Sequence, residues 1–383
     1  MLQRTLFSEE HNIFREQVRK WVEKEITPHA DAWEKAGQIP REVYKKAGAQ
    51  GYLCSWIEET YGGMGADWLY SVIVMEEIAK SGNSGVAFAL HSDVVVPYLH
   101  AFGSEEQKKK WLPGCVDGSI ITAIAMTEPG TGSDLAAIQT TATDKGDHWV
   151  INGSKTFISN GLISNLVIVV AKTSNDPANP HGNHSLFVVE EGAKGFERGR
   201  KLDKIGMKAQ DTSELYFNDC VIPKANILGD VGAGFYYLMQ KLQQERLVVA
   251  LGAAVGMEMA VAETIKYTKE RKAFGKPLSK LQNTRFKLVE SHGKAVIARV
   301  YVDRLIEAHM RGENIVAETS IAKYWVTDAL CEVVDECLQL HGGFGYMREY
   351  PIAKAYEDAR VQRIYAGANE IMKEIVAKVE LGL

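Results

Sequence analysis

Trp149-Val-Ile-Asn-Gly-Ser-Lys-Thr-Phe-Ile-Ser-Asn-Gly161 decides how this chain is divided. Residues with strong β preference flank Asn152-Gly153, and Asn-Gly in that setting is the strongest short signal for a hairpin. Upstream, Ser119–Met126 is a short apolar run rich in β-formers. Downstream, Asn160-Gly161 precedes the apolar strand Leu166–Ala171, and Ser185–Glu190 and Glu214–Phe217 read as further strands. Between them, Thr173–His184 holds two prolines, three asparagines and a glycine and reads as a solvated loop, including His181 and His184. The block 119–231 is therefore expected to be all-β and barrel-like.

On both sides the apolar period changes to that of a helix. Before the block, Phe14, Val18, Trp21, Val22 and Ile26 form an i, i+3, i+4 stripe after Ser8. Ile39–Ala49 and Asp67–Ser81 look similar, and Ser104 is placed to cap another helix. After the block come four long amphipathic patterns, Phe235–Glu270, Leu281–Gly312, Val316–Leu340 and Pro351–Leu381, which suggest an antiparallel bundle. The expected architecture is α+β and multidomain: a helical domain over 1–118, a β domain over 119–231 and a four-helix bundle over 232–383.

Composition narrows the function. The 383 residues are 46% hydrophobic and 24% charged, which excludes a disordered or low-complexity chain. The net charge of −5 lacks the basic excess of a fold that holds nucleic acid. The longest clean apolar run is Leu247–Met257, short of the ~20 residues of a membrane span. The polar Met1–Asn12 stretch has no signal-peptide core, and there is no Arg-rich transit segment, so a bacterial cytoplasm is the expected location. Five scattered cysteines without a CxxC pair fit reduced thiols there.

No GxGxxG after a strand, GxxxxGK[ST] or HExxH occurs, which argues against Rossmann, P-loop and zincin chemistry. Glu245 is more informative. It shares a helical stripe with Leu242, Val249, Gly252 and Gly256, so it sits on the buried face of its helix. A buried carboxylate is costly unless paired or used. It is either half of a buried ion pair or a general base with a raised pKa. Thr127–Asp134 offers free backbone N–H groups and hydroxyls on leaving a strand, which suits a phosphate or a polar ring edge as well as a plain turn.

Together these segments resemble the acyl-CoA dehydrogenase family, end to end and in order. Ala125-Met-Thr-Glu-Pro-Gly-Thr-Gly-Ser-Asp134 and Lys155-Thr-Phe-Ile-Ser-Asn160 are similar to that family's two flavin-contacting segments. Glu270-Arg-Lys-Ala-Phe-Gly275 with Gln282 is similar to the stretch that reaches a neighbouring subunit's flavin, and Gln339-Leu-His-Gly-Gly-Phe-Gly345 resembles the turn on the adenosine side. The resemblance implies one FAD per chain, a homotetramer, an acyl-CoA substrate and an electron-transfer flavoprotein as partner. It places FAD against Met126, Thr127, Ser133, Phe157, Ile158, Ser159, Arg271, Phe274, Gln282, Gln339, Gly342, Gly343, Ala368 and Glu370. It places substrate against Ser133, Arg246, Ala366 and Gly367.

In one respect the chain departs from the commonest members. They carry the catalytic Glu in a Tyr-Glu-Gly-Thr segment, whereas here the matching segment is Ile364-Tyr-Ala-Gly-Ala-Asn-Glu370, with Ala366 at the base position and Ala368 in place of a threonine. In the isovaleryl and long-chain branches the base sits at the position of Glu245, and Gln244–Leu247 and Asn369–Glu374 look most like the long-chain branch. The resemblance thus implies α,β-dehydrogenation of an acyl-CoA in fatty-acid oxidation, with Glu245 as base. An acyl-CoA oxidase or related flavoenzyme on the same fold and a non-catalytic acyl-CoA-binding protein are the alternatives.

Overall fold

The structure, a computed structural model, describes residues 4–383; the first three residues of the Met1–Asn12 stretch lie outside the described residues. Six helices come first: α1 (Glu9–Glu25), α2 (Ala30–Ala36), α3 (Glu42–Gly48), α4 (Trp68–Lys80), α5 (Val96–Phe102) and α6 (Glu105–Asp117). Their starts are chemically marked. The Ser8 hydroxyl accepts from the His11 N–H, Asp67 accepts from the Leu69 N–H, and Ser104 forms a reciprocal box with Gln107. Just before α5 the chain widens into a π-type turn, Leu90–Val95, a feature often found at functional sites.

Eight strands follow: β1 (Thr122–Ala125), β2 (Thr141–Asp144), β3 (His148–Ser159), β4 (Leu166–Lys172), β5 (His184–Glu190), β6 (Phe196–Lys201), β7 (Thr212–Pro223) and β8 (Ile227–Leu228). They form one sheet in the order β6-β7-β3-β2-β4-β5-β8, with β1 parallel to β4. The order does not return on itself: among the described residues the pairing ends at β6 and at β8, an open path where the sequence suggested a barrel. β4 reads as a continuous apolar run because both its faces are covered. Leu166, Ile168 and Val170 pack into the core shared with the N-terminal helices, while Val167, Val169 and Ala171 pack into the sheet's other core.

The expected hairpin at Asn152-Gly153 is absent. Both residues lie inside β3, where the pairing with β7 slips by a bulge between Ile151 and Gly153. A glycine inside a strand often marks a bulge or a close approach, and here a Cβ would fall 2.8 Å from the Thr140 Cα. His184 is also not in a solvated loop. It opens β5 and is buried, and Phe235 stacks on the His181 ring at 4.2 Å.

The last part is helical: α7 (Gly234–Glu270), α8 (Gln282–Met310), α9 (Val316–His341), α10 (Pro351–Ala359) and α11 (Asn369–Val379). The fourth amphipathic pattern is thus two helices. They are parted by a 3₁₀ turn and by Ala366 and Gly367, both in the left-handed region (φ 52° and 91°) that an α-helix cannot contain. By length and composition α7 is apolar enough to cross a membrane, although its longest uncharged run is short. Its inner face, including Leu247, Leu251, Ala254 and Met257, packs in the bundle core with residues of α8 and α9.

If Asn152-Gly153 is a bulge against Thr140 and not a turn, Gly153→Ala should destabilise the protein by about 1–3 kcal/mol, the usual cost of overpacking. Denaturant unfolding would read this, and a midpoint unchanged from wild type would contradict the assignment.

Candidate active site

The N-terminal helices, one face of the sheet and α7 enclose a cleft of about 1170 Å³. Met126, Thr127, Ser133, Phe157, Ile158, Ser159, Glu245, Arg246, Ala366 and Gly367 all line it. The fold therefore gathers into one space residues from four distant stretches of sequence.

Its β wall is latched from behind. Lys155 is fully buried on β3, and its Nζ donates to the Met126 carbonyl and the Glu128 carboxylate, both at 2.9 Å. Glu128 also accepts from the Gln139 and Thr140 N–H groups (2.6 and 2.9 Å). Burial pushes the Lys155 ammonium down to about 8 despite that partner. In front of the latch, Phe157 has left-handed backbone (φ 60°) and stays 68% exposed. A large apolar ring held in a costly conformation and left open to a cleft is a surface for a flat ligand. Thr127 and Ser159 line the same cleft.

On the opposite wall the whole stripe read from periodicity, Leu242, Glu245, Val249, Gly252 and Gly256, faces the cleft. A Cβ at Gly252 would meet nothing within 4 Å, so this part of the wall is open. Glu245 is buried, and the Tyr98 hydroxyl donates to its Oε1 at 2.7 Å. Among the described residues no basic nitrogen forms an ion pair with it. Burial raises its pKa to about 7, against the opposing pull of Tyr98 and Arg246. Arg246 is itself buried; its Nη1 donates to Ser320 Oγ at 3.3 Å, and its Nε has no partner among the described residues.

The remaining sequence-derived residues lie elsewhere. Ala368 and Glu370 follow Gly367 at the start of α11. Arg271 ends α7, and its guanidinium lies 5.3 Å from the centre of the Phe344 ring, so the 270–275 segment meets the Gly342-Gly343 turn after α9. Phe274, in the small hairpin β9 (Lys272–Ala273) and β10 (Lys276–Pro277), is 92% exposed. Gln282 and Gln339 are exposed at the ends of α8 and α9. These residues are not part of the cleft of their own chain.

Two residues of the site escaped the sequence reading. Tyr98 sits on α5 and carries no motif. Asp93, in the π-type turn, lines the same cleft; burial pushes its pKa up to about 7, while the Trp68 indole donates to it at 3.0 Å. The Ser92-Asp93 pair inside an otherwise apolar run was its only available signal.

Family models for the acyl-CoA dehydrogenase N-terminal, middle and C-terminal domains match residues 8–119, 123–220 and 232–381. The chain belongs to the acyl-CoA dehydrogenase family. It is 50% identical to the mitochondrial long-chain specific acyl-CoA dehydrogenase of Mus musculus, covering 98% of this chain and 87% of that one. It is 37% identical to an acyl-CoA dehydrogenase of Bacillus subtilis, covering 98% and 99%. Among solved structures, an acyl-CoA dehydrogenase from Geobacillus kaustophilus is 52% identical with a TM-score of 0.98 over the full length of both chains. A structure described as the electron transferring flavoprotein of Acidaminococcus fermentans is 33% identical with a TM-score of 0.93, over 98% of each chain. Acyl-CoA dehydrogenases are FAD flavoenzymes. The β wall of this acyl-CoA dehydrogenase fits that cofactor: the exposed Phe157 offers a flat apolar ring, and Thr127 and Ser159, whose hydroxyls can donate and accept, line the same cleft.

A general base must be ionised to act, so if Glu245 has that role kcat/KM should fall as the pH drops through about 7. Tyr98→Phe removes a donor to the charged form, worth ~1.5–3 kcal/mol. It should therefore move this acidic limb up by about one unit or more. A pH–rate profile checks this, and a limb that stays or moves down would contradict it.

Proposed function

We propose that this enzyme oxidises long-chain acyl-CoA to the trans-2-enoyl-CoA, with Glu245 as the general base. The observation that supports this most strongly is a buried carboxyl without an ion-pair partner among the described residues, with a pKa near 7, lining the same cleft as Phe157 and the Ala366–Gly367 turn. Glu245 takes the proton from the α-carbon, and the β-hydrogen leaves with its electron pair. FAD, when bound, supplies the two-electron acceptor for that hydride. An unactivated α-proton is far too weak an acid for this, so the thioester carbonyl must be polarised. The N–H groups at Ala366 and Gly367 find no acceptor among the described residues and are suited to that task. Alanine at 366 leaves the backbone donor in place, so loss of the usual base there need not cost the oxyanion site. Arg246, with its free buried Nε, and Ser133 hold substrate.

The long-chain reading is supported by the relatives' description and by the open wall at Gly252. We infer an electron-transfer flavoprotein as redox partner and a homotetramer as the assembly. Phe286, Val289, Ile297 and Val300 leave an exposed apolar stripe along α8, the kind of surface that marks an interaction site. In a homotetramer Arg271, Phe274, Gln282, Gln339, Gly342 and Gly343 would contribute to a neighbouring subunit's FAD site. A bacterial cytoplasm remains our reading of location, consistent with five free cysteines and the Bacillus relative.

Glu245→Gln, nearly isosteric, should keep FAD and lose about 10²–10⁴-fold in turnover, as general-base loss does. Activity within about threefold of wild type would exclude Glu245 as the base. Arg271→Ala removes a cation suited to phosphate. It should weaken FAD retention and the tetramer together, which flavin release and sedimentation would show; normal FAD affinity in an intact tetramer would remove Arg271 from the cofactor site.

A further inference from the structure

Lys323 lies in the middle of α9 with its side chain fully buried, yet no carboxylate pairs with it among the described residues. Its Nζ donates instead to the Gly367 carbonyl at 2.6 Å and to Asn369 Oδ1 at 2.8 Å. Asn369 is fixed in turn, its amide donating to Thr327 Oγ1 and Asp328 Oδ1, both at 3.0 Å. The ammonium thus holds the segment in which Ala366 and Gly367 are both left-handed. Such a conformation in a non-glycine residue persists only where its surroundings enforce it.

Charge is the second half of the argument. Capping a carbonyl needs only a neutral donor, and burying an uncompensated ammonium is costly. Ser320, which accepts from Arg246, lies three residues before Lys323 on the same face of α9. Arg246 and Lys323 therefore place two cations beside the turn, with Asp328 of α9 and Glu370 of α11 as the nearby acids. A thioester oxygen that gains negative charge as the α-proton leaves would be stabilised there.

We propose that Lys323 is a positioning residue: it clamps the Gly367 carbonyl and so holds the free N–H groups of the 366–367 turn toward the substrate's thioester oxygen. This rests on the reading of that turn as the site of the thioester carbonyl.

The test uses acetoacetyl-CoA, whose second carbonyl acidifies the α-proton, bound to the FAD-loaded enzyme. Its ionisation is followed by the ultraviolet band of the enolate as pH is varied. Lys323→Met should retain FAD and bind acetoacetyl-CoA within about threefold of wild type. The ligand's ionisation constant should fall by ~10–100-fold, somewhat less than loss of an oxyanion donor costs, and turnover of substrate should fall by a similar factor. Lys323→Gln, neutral and more easily accommodated, should shift the ionisation in the same direction. An ionisation constant unchanged in both variants overturns the proposal, as does loss of FAD from both, which would make Lys323 structural. The wild type reports separately on the underlying reading: if it does not make bound acetoacetyl-CoA more acidic than it is in water, the turn is not the carbonyl site, whatever Lys323 does.

Discussion

The site depends on a carboxyl group buried on α7 with a phenol as its donor and, among the described residues, no ion-pair partner. Glu76 shows what the same side chain becomes with cations. It is as deeply buried, but Arg4, Arg15 and Arg299 all contact it, and they hold it down to about 2 although burial works against them. Glu76 is thus fixed as an anion that ties α4 to α8 and the N-terminal segment. Among the described residues Glu245 accepts from the Tyr98 hydroxyl alone and has only the weaker pull of Arg246, and burial raises its pKa to about 7. Burial is common to both, so the partner set separates a structural carboxylate from one able to exchange a proton.

That constraint orders the rest of the fold. Tyr98 belongs to α5 of the N-terminal helices and Glu245 to the bundle, so the single donor exists only when the two are docked. The Gln244 side chain adds a second tie from α7, donating to the Asp93 carbonyl at 2.8 Å. The pKa of the carboxyl is therefore a property of the interface, and relative movement of the two parts would change it.

Much of this was legible in the sequence. The stripe through Glu245 follows from helical period alone, and every member of it faces the cleft. The changes of period also located the helical and β-rich stretches. What failed did so because local signals were outvoted by tertiary contact. Asn152-Gly153 carries a turn signature, but the approach of Thr140 makes use of its glycine inside a strand. The pattern from Pro351 to Leu381 keeps its amphipathic period across Ala366-Gly367, where the chain leaves the helix. Tyr98 and Lys323 were invisible for another reason: their value lies in partners 147 and 44 residues away. The resemblance supplied roles for single residues, but it could not supply these contacts.

The two walls of the cleft share a device. Each presents a non-glycine residue in left-handed backbone, Phe157 on one side and Ala366 on the other. Behind each stands a fully buried lysine that donates to a backbone carbonyl of the wall, Lys155 to Met126 and Lys323 to Gly367. Burial lowers both ammonium groups to about 8, so each lysine is held at a cost to its charged form. An apolar residue at either position would avoid that desolvation but would leave the carbonyl without this donor, and at 155 would also strip Glu128 of its cation. Lys323 thereby holds the left-handed Gly367, and Lys155 ties β3, two residues before Phe157, to the Met126–Glu128 segment. Catalysis by positioning requires reacting groups to be fixed before the substrate arrives. A backbone turn that has no regular secondary structure to hold it must take that rigidity from side chains behind it, and at Ala366–Gly367 the buried Lys323 is such a side chain.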